Sequence, residues 1–213
     1  TVLEGARLDK KGYHDGDSFH VRYQGKDYVF RLFYVDAPET DERYPDRIRG
    51  QAKYFGISAD DTLEAGEDAT RFAEKFLSGT FTVYTDWTDG WGRGTRYRAI
   101  FVKDGEELGA ALVGAGLARN SGFVPDTSWP GLRDDVWEYR KELEKLENRA
   151  KRENRGAWGF REDRPAPSQD GDSRASTQST DSLVDLNSAS GPDLEKLPRI
   201  GPVLAGRIIE ARP

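Results

Sequence analysis

Three short stretches of the 213-residue chain hold charged side chains where a folded sheet would ordinarily place apolar ones. They are His14-Asp15-Gly16-Asp17-Ser18, then Phe30-Arg31-Leu32-Phe33-Tyr34-Val35-Asp36-Ala37-Pro38-Glu39-Thr40, then Asp89-Gly90-Trp91-Gly92-Arg93-Gly94. Arg31 interrupts an apolar strand, and an inward arginine is costly to bury unless an anion or a carboxylate meets it. Asp36 ends that strand, and Pro38 bends the chain so that Glu39 turns back toward it. On an extended strand Arg31 and Asp36 stand about 16 Å apart, beyond direct pairing but a span that long side chains and a bound phosphate can fill. Asp17 and Asp36 supply two carboxylates in a chain with Cys 0 and His 2, which favours a hard, oxygen-loving cation such as calcium over zinc. Two carboxylates alone bind weakly, so such a site fills best at millimolar calcium. Taken singly, each stretch has a plainer reading: Asp15 and Asp17 in a hairpin turn, Arg31 paired with Asp36, Arg93 on the surface of a Gly-rich turn. Taken together, the three argue for one site.

The elements that must position these residues are legible in the apolar pattern. Ser18 to Tyr23, Lys26 to Val35, Thr80 to Thr88 and Arg96 to Lys103 carry the β-branched and aromatic residues of strands, a fifth strand precedes Lys10, and Gln24-Gly25 and Asp104-Gly105 mark turns. Helical spacing runs over Gly66 to Leu77, Glu106 to Ala115 and Trp129 to Asn154. Asp41 to Leu63 is polar and reads as a long surface loop. The expected fold class is α+β, with a small antiparallel barrel.

Composition narrows the function classes. Charged residues make up 33% and mean hydropathy is -0.79, so no stretch approaches the roughly 18 apolar residues of a membrane span. An aromatic content of 11% supplies large core side chains and argues against disorder over most of the length. Without cysteine there is no disulfide-linked partner and no thiolate nucleophile. The net charge of -6 is not that of a protein that coats nucleic acid, so any basic groups that bind it act locally. Arg161 to Ser182 lacks Leu, Ile, Val and aromatic residues and reads as a flexible linker. The expected domains are 1–160, a linker over 161–182, and a module over 183–213.

The order DGDS, VFRLFYVDAPET, DGWGRG resembles the staphylococcal-nuclease-like (thermonuclease) family over about residues 1–160, including Gly66-Glu67-Asp68-Ala69, Gly116 to Ala118 and Trp158. The resemblance implies a five-stranded OB-type β-barrel with three helices. It implies calcium (Ca2+) ligands at Asp17, Asp36 and the backbone carbonyl of Ala37, which stands where the family commonly has threonine. It implies that Glu39 orients the attacking water and that Arg31 and Arg93 grip the scissile phosphate. Trp91 and Phe123 are the corresponding substrate-binding aromatics, although Gly122-Phe123-Val124 departs from the family's tyrosine-rich stretch. His14 and His20 match no functional position and read as ordinary turn and strand residues. The implied reaction is hydrolysis of phosphodiester bonds of DNA and RNA to 3′-phosphate products, single strands preferred.

Val184 to Pro213 resembles the helix-hairpin-helix unit of competence-type DNA receptors, with helices over Gly191 to Leu197 and Val203 to Ala211. The implied DNA-binding residues are Arg199, Ile200, Gly201 and Val203, through backbone N–H groups offered to a phosphate. Arg199 replaces the first hairpin glycine. Such modules usually pair two hairpins, and one is legible, which points to a truncated module; a hairpin serving a protein interface is the alternative. The whole then reads as a calcium-dependent nuclease with an appended DNA-holding module, monomeric, and secreted or at the periplasm or cell surface. The rivals are a catalytically inactive nucleic-acid-binding scaffold and a calcium-regulated adaptor.

Overall fold

Alternating apolar residues build five main strands: β1 (Val2–Leu8), β2 (Ser18–Tyr23), β3 (Lys26–Leu32), β4 (Phe81–Tyr84) and β5 (Tyr97–Lys103). The computed structural model describes residues 1–9, 12, 14–89, 96–124, 136–161, 189, 190, 193 and 209. The chain divides into two units, Thr1–Ala166 and Pro167–Pro213. Gln24 and Gly25 (φ 48° and 76°) and Asp104 and Gly105 (φ 53° and 82°) take the left-handed conformations that tight hairpins require, as their sequences led one to expect. A two-residue β6 (Glu106–Glu107) pairs with the end of β5.

The strand order is β3-β2-β1-β4-β5-β6, and β3 also pairs with β5, which closes the barrel. The closing pair is parallel, with Phe30 opposite Tyr97, Arg31 opposite Arg98 and Leu32 opposite Ala99. The other barrel pairs are antiparallel, as expected. Five strands that alternate in direction form an odd ring, so its last pair must run the same way. Phe19, Val21, Phe30, Leu32, Val83 and Phe101 fill the interior and are buried.

Among the described residues four α-helices pack around the barrel: α1 (Pro45–Phe55), α2 (Ala59–Phe76), α3 (Leu108–Gly114) and α4 (Val136–Arg152); a 3-10 helix follows at Gly156–Arg161. The fold is therefore α+β around an OB-type barrel. The expected loop over Asp41 to Leu63 instead holds α1 and the start of α2. Pro45 starts α1, Gly56 ends it at φ 72°, and its buried face consists of Ile48, Gln51 and Phe55 alone. That stripe is too thin to stand out in a polar segment. Ser58 and Asp61 form a reciprocal capping box, so α2 begins well before the expected Gly66. Phe55, Ala65, Ala150, Ala157 and Trp158 make a second small core that joins α1, α2, α4 and the 3-10 helix. Among the described residues no helix is long and apolar enough to cross a membrane.

Candidate active site

β3 stops at Leu32, short of the expected Val35, and Tyr34 turns the chain with φ 68°. Tyr34 accepts this left-handed backbone while its ring is buried edge-on against Tyr139, centroids 4.8 Å apart. The turn corrects the distance inferred for an extended strand. Arg31 Nη2 donates to Asp36 Oδ1 at 2.8 Å, so the two pair directly. The same nitrogen lies 2.7 Å from Asp17 Oδ2. One guanidinium nitrogen thus bridges the two carboxylates.

Asp17 is held from several sides. Its Oδ2 accepts the Ala37 N–H at 3.1 Å, its Oδ1 accepts the Ser18 hydroxyl at 3.1 Å, and its own N–H donates to Asp15 Oδ1 at 3.1 Å. Burial pushes its carboxyl up to about 7; Arg31 pulls the other way, and Asp15 and Asp36 add to the rise. Burial also opposes the charge on Arg31, but Asp17 and Asp36 outweigh it and hold the guanidinium more firmly protonated than usual.

Asp36 gathers three guanidinium groups. Besides Arg31, Arg47 Nη2 reaches Oδ1 at 3.2 Å, and Arg119 reaches Oδ2 through Nη2 at 2.9 Å and Nε at 3.0 Å. The backbones of Asp36 and Arg119 also exchange hydrogen bonds, 3.1 and 3.0 Å, which fastens the end of the β3 turn to the segment after α3. Glu39 is 6% exposed. Arg47 Nη1 meets its Oε2 at 3.0 Å, and the N–H groups of Thr40 and Asp41 donate to its Oε1 at 3.1 and 3.3 Å.

Gln51, 1% exposed on α1, ties these groups together. Its Nε2 donates to the Ala37 carbonyl at 2.8 Å and to Asp36 Oδ2 at 3.0 Å, while its Oε1 accepts the Glu39 N–H at 2.8 Å. On the other side, α2 presses against the Glu39 backbone through Gly66, where a Cβ would lie 2.6 Å from the Glu39 carbonyl oxygen and 2.8 Å from that of Pro38. A cleft of about 460 Å³, lined among others by Asp15, Ser18, His20, Glu39, Arg47 and Arg96, opens over this cluster.

The structure therefore brings Asp17, Arg31, Asp36, Ala37 and Glu39 into one hydrogen-bonded cluster. Phe123 lies apart from the carboxylates, 46% exposed, with its ring 6.2 Å from Phe33 and under Arg98. Trp91, Arg93, Arg199, Ile200, Gly201 and Val203 fall outside the described residues. His14 Nε2 donates to the Asp9 carbonyl oxygen at 2.8 Å, and its Nδ1 accepts the His20 N–H at 3.3 Å.

Sequence reasoning passed over Arg47, Gln51 and Arg119. The first two lay in the segment read as a loop; a Pro followed by Ile48, Gln51 and Phe55 at spacings of three and four was the available signal. Arg119 directly follows the quoted Gly116 to Ala118, but nothing in one sequence ties it to Asp36.

The donors facing Arg31 are oxygens only, which suits calcium and not zinc. Two carboxylate oxygens that touch the same nitrogen are also near enough to share one cation, while the Ala37 carbonyl accepts from Gln51 Nε2, which also meets the other oxygen of Asp36. Among the described residues no group of three or more acidic or histidine side chains is arranged for a metal. The fit is thus that of a sparse, oxygen-donor site in which the guanidinium must give way.

Residues 29–159 match the family model for staphylococcal nuclease homologues, and residues 179–213 match that for the helix-hairpin-helix motif. No curated protein matches the chain.

Proposed function

The chain belongs to the staphylococcal nuclease homologue family, followed by a helix-hairpin-helix motif, and we propose that it is a calcium-dependent nuclease acting on both DNA and RNA. A nuclease-type domain joined to such a motif makes this a nucleic-acid-binding protein. The observation that carries the enzymatic reading is the convergence of Asp17, Arg31, Asp36, Ala37 and Glu39, drawn from separate segments, on one buried cluster.

In this reading Asp17, Asp36 and the Ala37 carbonyl hold the ion. When bound, calcium supplies Lewis-acid polarisation of the phosphoryl oxygens and a template for the reacting groups. Arg31 would meet the substrate, where its planar fork fits two phosphate oxygens and opposes the charge that grows in the transition state. Arg93 is the second such fork. Glu39, fixed by Arg47 and by two backbone N–H groups, orients water for in-line attack. The 5′-oxygen leaves, and 3′-phosphate products remain. Trp91 and Phe123 take the bases, which favours single strands, whose bases can be splayed.

The proposed domains are 1–160, a linker over 161–182, and a DNA-holding module over 183–213 that presents the N–H groups around Arg199, Ile200, Gly201 and Val203 to phosphates. A linker of that length spans roughly 25 Å, enough for both modules to hold one strand at high effective concentration. A site of two carboxylates fills at millimolar calcium, which supports action outside the cytoplasm, secreted or at the periplasm or cell surface.

One observation favours the second reading, a non-catalytic scaffold: Asp36 is already balanced by Arg31, Arg47 and Arg119 without a metal ion. Digestion of single-stranded DNA with calcium and with chelator, followed by analysis of the product ends, separates the two. The nuclease yields 3′-phosphates in calcium alone; no cleavage in calcium supports the scaffold. Replacing Arg31 or Arg93 by Ala lowers the rate by about two to three orders of magnitude in the first case.

A further inference from the structure

Arg98 sits beside Arg31 across the barrel's closing seam, directly opposite it in the parallel pairing of β3 and β5. Its backbone is fixed on both sides: the N–H donates to the Thr88 carbonyl at 2.9 Å, and the carbonyl accepts the Thr85 hydroxyl at 2.8 Å. The side chain is half-buried, and its guanidinium carbon lies 5.4 Å from the centre of the Phe123 ring. Phe123 is held in turn, since its carbonyl accepts the Tyr34 N–H at 2.9 Å and Gly122 packs against the Tyr34 and Val35 backbone, where a Cβ would come within 2.7 Å.

Arg31, Arg47 and Arg119 each meet a carboxylate. Among the described residues Arg98 meets none; the ring is its neighbour. Burial, and then the charges of Arg31 and Arg96, disfavour its charged form, while Asp17 and Asp36 oppose them more weakly. A half-buried guanidinium of this kind is costly until an anion arrives. Neighbouring strands are about 4.8 Å apart, so the backbones alone do not set the two guanidinium groups on different anions; what separates them is that Arg31 is engaged by Asp17 and Asp36 while Arg98 lies over the Phe123 ring.

We infer that Arg98, braced on Phe123, is a second phosphate-binding site that takes the phosphate next along the strand from the one held by Arg31. The inference rests on the nuclease reading for which phosphate is cleaved, but not for whether Arg98 binds one. Arg98 is a specificity residue here: it rewards a substrate that carries a flanking phosphate and leaves the reacting bond to Arg31 and its partners.

The test uses the full chain, wild type and with Arg98→Gln, on three probes: a dinucleoside monophosphate, and the same molecule with a 5′-terminal or a 3′-terminal phosphate. Cleavage in calcium gives kcat and KM, and fluorescence anisotropy in calcium, on labelled probes with a bond that resists cleavage, gives Kd. For the wild type, one of the two terminal phosphates lowers KM and Kd by about tenfold, the worth of one charge-assisted contact. Arg98→Gln abolishes that gain and leaves the bare dinucleotide unchanged in kcat and KM; Arg98→Lys, which keeps the charge, retains most of it. Which terminal phosphate loses its gain identifies the neighbour, 5′ or 3′. Equal losses on all three probes, or the gain intact in Arg98→Gln, overturns the inference. If the wild type cleaves none of them, the nuclease reading fails, while the Kd comparison still decides on Arg98. A fold loss in Arg98→Gln shows in its melting curve, and Arg98→Lys then carries the decision: loss of the gain there with an intact fold counts against a simple phosphate contact.

Discussion

Arg31 and Asp17 form an ion pair 2.7 Å long with side chains only 10% and 3% exposed. Its two members do not contribute alike. Asp17 pays for burial in spite of its partner, as its raised carboxyl shows, whereas Arg31 gains from two carboxylates at once. Removing Arg31 leaves two carboxylates without their shared guanidinium, so Arg31→Ala should cost about 3 kcal/mol at pH 8. At the same pH and in chelator, Asp17→Asn should be no less stable than wild type, because it removes a charge that burial disfavours and Arg31 keeps Asp36. Urea unfolding of both variants checks the asymmetry; equal costs would refute it.

The pH dependence has a definite sign. A carboxyl raised in the folded chain binds its proton more tightly there than when unfolded, so its contribution favours folding at low pH and fades as pH rises from the unfolded value near 3.8 toward about 7. In chelator, wild type should therefore lose stability relative to Asp17→Asn across that window and run parallel to it above. Calcium needs the ionised form, so its increase in Tm should be larger at pH 8 than at pH 6. A calcium effect that does not grow over this range counts against Asp17 as a ligand.

The strand residues, the two hairpin turns and the cluster of Asp17, Arg31, Asp36 and Glu39 were legible because strand alternation and short, chemically unusual motifs are local signals. What binds the cluster together was not. Gln51 is polar and lies in a polar segment, so neither hydropathy nor charge marks it as a buried residue. The direct Arg31–Asp36 pair, the plainer reading of that stretch, was set aside because a strand was carried on past Leu32, and nothing in Phe33-Tyr34 announces that a tyrosine will adopt a left-handed backbone. Arg98 looks like any strand arginine until the seam sets it opposite Arg31.

Gln51 makes two buried hydrogen bonds, to the Ala37 carbonyl and the Glu39 N–H, and a partly buried one to the Asp36 carboxylate. Gln51→Ala leaves these groups short of partners and opens a cavity. A destabilisation of about 3 kcal/mol follows. Because Asp36 and Glu39 lose their fixed relation, cleavage should drop by about a hundredfold even under conditions where the variant is folded. Circular dichroism beside a cleavage assay measures both; full activity in a folded variant would remove Gln51 from the site.

Gly66 lies within α2, where a methyl group has no room beside the Pro38 and Glu39 carbonyls. In an exposed helix, Gly→Ala stabilises by up to about 1 kcal/mol. Here Gly66→Ala should instead destabilise by about 2 kcal/mol, since backbone must move. The shift falls on Glu39, so kcat should suffer more than KM. A more stable and equally active variant would show that α2 does not set the position of Glu39.

The parallel seam between β3 and β5 both shuts the barrel and carries Arg31, which bridges Asp17 and Asp36, with Phe33 donating to Ala99 at 3.0 Å just past the last paired residues. Shape and chemistry therefore fail together. If the ring breathes there, Arg31 and Arg98 part before the rest of the sheet is disturbed, and amide exchange at Phe33 would report the loss of a working cleft ahead of global unfolding. Heat would silence such a molecule before it melted.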